Sequence, residues 1–201
     1  MAALIALALY VIYLTLAFGL RTWLQWRRTG RSGFAGISGR PGSLEWTGGV
    51  LFAVALALGF LAPLLDLAGV LAPVGALDGA VAQAAGAVIA VGGIAGTLLA
   101  QAAMGTSWRI GVDPTERTAL VTSGPFAVVR NPIFAAMLPT SAGLVMLVPN
   151  AVALAGFAAL VAALQIQTRW VEEPYLLAVH GETYSRYARR VGRFVPGLGR
   201  L

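Results

Sequence analysis

Five polar side chains stand where two apolar runs begin and end: Arg130 and Asn131 at the entry of one, Arg169, Glu172 and Glu173 at the exit of the next. Their types suit a site that handles both signs of charge. A guanidinium can hold a carboxylate through two parallel hydrogen bonds, and glutamates can receive an ammonium group or sugar hydroxyls. Ionisable groups at membrane depth are costly and usually mark a site. The stretch 120–134 carries Gly124-Pro125 and Asn131-Pro132; each proline removes a backbone donor and biases the residue before it away from helix. Arg169 precedes Glu172 and Glu173 by three and four residues, which sets the charges on neighbouring faces of an α-helix. The plainer reading of the same spacing is a solvated salt-bridge cluster of little energetic weight. One histidine and no cysteine leave no donor set for a metal, so no metal site is expected. They also exclude a thiol nucleophile and a disulfide framework. His180 precedes Gly181, the pattern of a helix C-terminus ahead of a glycine cap.

The elements that must position these residues are apolar. Hydrophobic residues make up 58% of the 201-residue chain and charged residues 11%, with a mean hydropathy of +0.80, far from the soluble average. Apolar runs cover 2–20, 48–65, 81–103, 133–148 and 151–166. The first is followed by arginines rather than preceded by them, so it reads as a span and not as a cleaved signal. The expected fold is an all-α integral membrane protein with five transmembrane helices and a C-terminal cytoplasmic amphipathic helix. In that last helix Tyr184, Tyr187, Val191 and Phe194 form the stripe, with Arg186, Arg189, Arg190 and Arg193 off it. Gly92 and Gly96 form a small-xxx-small face expected to let the third span approach a neighbour. The last two runs form a hairpin closed at Pro149-Asn150. Counting outward from that turn brings Asn131 level with about Thr168, so Arg130, Asn131, Arg169 and Glu172 are expected to meet at one mouth. Two regions follow: 1–104, three spans with a basic loop, and 105–201, a cofactor-binding loop, hairpin and tail.

Charge sets the orientation. All 14 basic residues are arginines. With five alternating spans they all fall on one side or at its membrane boundary, while Asp66 and Asp78 fall on the other. The positive-inside rule then puts the N-terminus outside and the tail in the cytoplasm. Arginines flanking apolar runs suit anionic lipid rather than nucleic acid as a partner. The bias to Arg, Ala and Gly suggests GC-rich coding and hence a bacterial inner membrane. Oligomeric state leaves no trace in the sequence.

The ordered series Leu-Val-Thr-Ser-Gly-Pro-Phe, Arg-Asn-Pro-Ile-Phe, Glu172-Glu173, then Leu177, Gly181, Glu182, Tyr184, Tyr187 and the segment 191–196 resembles the isoprenylcysteine carboxyl methyltransferase family and its phospholipid methyltransferase relatives. These are integral membrane enzymes that use S-adenosyl-L-methionine. The resemblance covers about 105–196, and the first two spans add no motif to it. It implies that Thr118, Ala119, Leu120, Val121, Phe126, Asn131, Pro132, Ile133, Phe134, Glu172 and Glu173 bind the cofactor. It further implies that Arg169, with Glu172 and Arg130, handles the acceptor. Asn131 stands where the family's motif has histidine, and it cannot titrate.

The expected function is therefore methyl transfer to a lipophilic acceptor, such as the carboxylate of a prenylated or similar lipid-like molecule, at the cytoplasmic face. In-line displacement between a negative nucleophile and a positive donor needs alignment and dehydration more than acid-base power. Two other readings compete: a sterol-type membrane reductase using NADPH, and a non-catalytic membrane scaffold or transporter.

Overall fold

The computed structural model describes residues 1–34, 36–111 and 119–201. Among them the protein is all helical, with two isolated β-bridges and no named strand. Helix α1 runs Ala2–Thr29, with a π-helical turn at Thr15–Leu20. Then come α2 (Leu44–Leu67), α3 (Ala80–Met104), α4 (Pro132–Leu147), α5 (Ala151–Ile166) and α6 (Glu173–Arg190). A second π-helical turn, Gln167–Glu172, joins α5 to α6. Four helices are long and apolar enough to cross a membrane: Ala2–Thr29, Leu44–Leu67, Ala80–Ser107 and Ala151–Arg190. The fifth apolar helix, α4, has 16 residues, about 24 Å at ~1.5 Å per residue, against a hydrocarbon core of roughly 30 Å.

The hairpin turn forms where the sequence puts it. Asn150 is fully buried and caps α5 by accepting from the Ala153 amide at 2.9 Å, while its own amide donates to Ala62 O at 3.2 Å. The side chain thus satisfies an orphan helix donor and ties the turn to α2. The two hairpin arms nevertheless part company, since α4 lies chiefly along α3 and α5 chiefly along α2.

The α3–α4 contact corrects one expectation. Gly92 has nothing within 4 Å of where a Cβ would stand, and Gly96 meets only the Ala136 methyl at 3.3 Å. The close approach is made at Gly93, where a Cβ would come within 2.6 Å of the Thr140 amide, and at Gly86, where it would come within 2.7 Å of Gly143 O. Small residues spaced seven apart let two backbones touch, and the buried face of α3 is Gly86, Ala90, Gly93, Thr97 and Gln101.

On α6, Tyr184, Tyr187 and Ala188 are buried against Leu120, Leu176 and Val191, while Arg186 and Arg189 are exposed. Gly181, at φ 51°, breaks the helical path in a region that favours glycine.

Candidate active site

The end of the bundle that carries the arginines is built from the inside of the chain outward. Arg21, near the end of α1, donates to Gly105 O and stacks over Trp108 at 4.9 Å, while Gln25 donates to Thr106 O at 2.7 Å. These bonds fasten the ends of α1 and α3 together. On the other side the tail folds back on the Arg-Asn-Pro step. Gly192 O accepts from the Arg130 amide at 2.8 Å and Arg193 O from the Asn131 amide at 3.1 Å, and the Tyr187 hydroxyl donates to Phe126 O at 2.6 Å.

Arg130 is the bolt of this arrangement. Its Nη1 donates to Ala188 O and Val191 O at 2.6 and 2.8 Å, and its Nη2 to Glu173 Oε1 and Gly199 O at 2.7 and 3.0 Å. Arg193 completes the cluster through Nε and Nη2, at 2.7 and 2.9 Å from the two Glu173 oxygens. The hydrogen bonds from Arg193 and Arg130 offset the cost of burying the Glu173 carboxylate. A buried, multiply bonded charge cluster of this kind strongly resists the loss of any member.

Between these two assemblies lies a cavity of about 400 Å³, within the range of small-molecule sites. Its walls include Ala119, Leu120, Val121, Phe126, Arg130, Asn131, Pro132, Ile133, Phe134 and Glu172. The two hairpin arms and the loop before them therefore meet around one space, as the turn at 149–150 requires. Thr118 lies outside the described residues. Glu173 is absent from the wall, because its carboxylate is spent on Arg130 and Arg193.

The expectation that Arg169 joins the others is corrected. Its Nε donates to Gln165 Oε1 at 2.9 Å and the side chain is exposed. The cause is the π-helical turn at Gln167–Glu172. One extra residue in the turn breaks the three-and-four spacing of an α-helix, so Glu172 faces the cavity, Glu173 faces the arginine pair and Arg169 faces away. Arg109 supplies the guanidinium that Arg169 does not. It lines the cavity, packs over the Tyr175 ring at 5.0 Å and leaves its buried Nη1 without a hydrogen-bond partner among the described residues.

Glu172 opens on the cavity and keeps some accessible surface, and Arg109 is the opposite charge that acts on it.

The N-terminal half also builds the cavity, although it contributes no motif. Gly48, Gly49 and Phe52 of α2, Tyr13 and Phe18 of α1, and Thr97 and Gln101 of α3 all line it. The signal available in the sequence was the interruption of an apolar span by Thr97 and Gln101, since a polar residue at membrane depth usually has a job.

The model of the family described as "Phospholipid methyltransferase" matches residues 81–183, just over half of the chain. The chain belongs to the phospholipid methyltransferase family. The match spans α3, the 119–134 stretch and both hairpin arms, which all contribute to the cavity wall. Comparison with curated proteins gives no match. Membership in this family of membrane methyltransferases, with four helices of spanning length, makes the chain an integral membrane protein and supports a methyltransferase activity.

Proposed function

We propose that the protein is an S-adenosylmethionine-dependent methyltransferase acting on a lipophilic acceptor at the cytoplasmic face of a bacterial inner membrane, with five spans, the N-terminus outside and the tail inside. The observation that carries this reading is the convergence of Phe126, the 131–134 segment and Glu172 on one cavity. The residues present fit the cofactor. The cavity has the size of a small-molecule site, and it combines aromatic walls with a carboxylate and a guanidinium whose Nη1 has no hydrogen-bond partner among the described residues.

When bound, S-adenosylmethionine supplies a methyl group on a positively charged sulfur. Glu172 is suited to receive the cofactor's ammonium or ribose hydroxyls. Leu120, Phe126, Ile133 and Phe134 exclude water, and dehydration strengthens every charge interaction inside. Arg109 takes the part that the family resemblance implied for Arg169, holding an anionic group such as a carboxylate. Arg130 and Glu173 act through the fold: they fix the tail against the Asn131 step and so hold the cavity's outer wall.

The test is transfer of labelled methyl from S-adenosylmethionine to a membrane lipid extract. The wild-type protein labels a lipid-soluble product, and Glu172→Ala lowers the rate at least tenfold. Equal labelling by both proteins removes Glu172 from the site.

A further inference from the structure

The inner end of the cavity has a feature that a hydrocarbon tail does not explain. Tyr13, Thr97 and Gln101 all line it and all are at least nine-tenths buried. The Tyr13 hydroxyl, the Thr97 hydroxyl and Gln101 Oε1 each lack a hydrogen-bond partner among the described residues. The Tyr13 and Thr97 hydroxyls lie close enough to interact as a pair, but outside the distance and angle of a formed hydrogen bond. Gln101 is not free to turn. Its Nε2 donates to Ala17 O at 2.8 Å, inside the π-helical turn Thr15–Leu20, where the shifted ladder re-aims backbone carbonyls. The amide is thereby fixed with its nitrogen on α1, which leaves Oε1 as an acceptor in need of a donor.

Depth and charge narrow what this end can take. Thr97 lies seven residues inside Met104, about 10 Å along the helix. A charged group so deep, beside three neutral side chains, is strongly disfavoured. A carboxylate is also repelled by an acceptor oxygen. A hydroxyl meets every requirement: it donates to Gln101 Oε1 and accepts from Tyr13 or Thr97. A plain prenyl or acyl chain leaves Gln101 Oε1 without a donor and the two hydroxyls with only their imperfect mutual contact, at a cost.

We propose that the Tyr13–Thr97–Gln101 cluster recognises an uncharged hydroxyl on the buried end of the lipophilic acceptor. This rests on the methyltransferase reading only for the word acceptor. The site as a hydroxyl-binding pocket stands on its own.

The probe is 4-nonylphenol against its methyl ether, 4-nonylanisole, which has nearly the same shape and no donor. Binding is measured to the full-length protein in nanodiscs and corrected for partition into empty ones. The wild-type protein is expected to prefer the phenol about tenfold, the order of one hydrogen bond to a buried group. Thr97→Val and Tyr13→Phe each reduce that preference, and Thr97→Ser, which keeps the hydroxyl, preserves it. Equal binding of phenol and ether by the wild-type protein overturns the proposal, as does a preference that survives in both Thr97→Val and Tyr13→Phe. Binding of S-adenosylhomocysteine by the same samples tests the methyltransferase reading separately. If it binds and the phenol preference is absent, only this inference fails; if it does not bind and the preference is present, only the methyltransferase reading fails.

Discussion

Glu172 and Glu173 are adjacent carboxylates with opposite fates, and their surroundings decide which is which. Two guanidiniums hold Glu173, whereas Glu172 faces a largely apolar cavity. Removing the carboxylate from the buried pair leaves two guanidiniums without their counter-charge. Glu173→Gln should therefore lower the midpoint of thermal unfolding in detergent clearly more than Glu172→Gln, and equal losses in the two variants would contradict the assignment. Residue types in the sequence were enough to nominate both glutamates. They could not divide the roles, because that depends on Arg193 and Arg130 arriving from elsewhere in the chain.

At the scale of elements, the hairpin was legible and its phase was not. Pro149-Asn150 is punctuation that any reading of the chain can use, and it returns Glu172 to the level of Asn131. The π-helical turn Gln167–Glu172 leaves no such mark. It arises from how α5, lying along α2, must hand over to α6 against the tail, and it moves Arg169 out of the site that its spacing promised. The glycines of α3 show the same limit. Several small residues announce a close helix contact, but the face is chosen by the partner, here Gly143 and Thr140 of α4. Gly93→Val should accordingly lower stability by about 2 kcal/mol or more, since overpacking a tight contact forces backbone shifts. Gly92→Val, with open space before it, should change stability by less than about 0.5 kcal/mol. Comparable losses in the two variants, measured by thermal unfolding in detergent, would mean that the α3–α4 contact is not as described.

For the molecule as a whole, the match to the family begins at residue 81, yet the cavity is closed by α1 and α2, which contribute no motif. Composition and run length alone made the membrane fold readable, because alternating apolar runs leave a chain few other options. What stayed hidden was that Tyr13, Gly48 and Phe52 share a wall with Asn131. Helices that meet only in three dimensions carry no mutual spacing in the sequence. The five-span arrangement makes a direct prediction, and the absence of native cysteine makes it easy to test. In sealed inverted vesicles, a cysteine at Arg186 should react with an impermeant maleimide and a cysteine at Asp78 should not; labelling of both positions from one side would break the arrangement.

The account stands most directly on the cavity between the hairpin arms being a site for the methyl donor. Calorimetric titration of the purified protein with S-adenosylhomocysteine measures that. Saturable heat is expected with the wild-type protein and with Arg169→Ala, and affinity at least tenfold weaker with Glu172→Ala. No heat with the wild-type protein, or a loss with Arg169→Ala while Glu172→Ala binds normally, would contradict it.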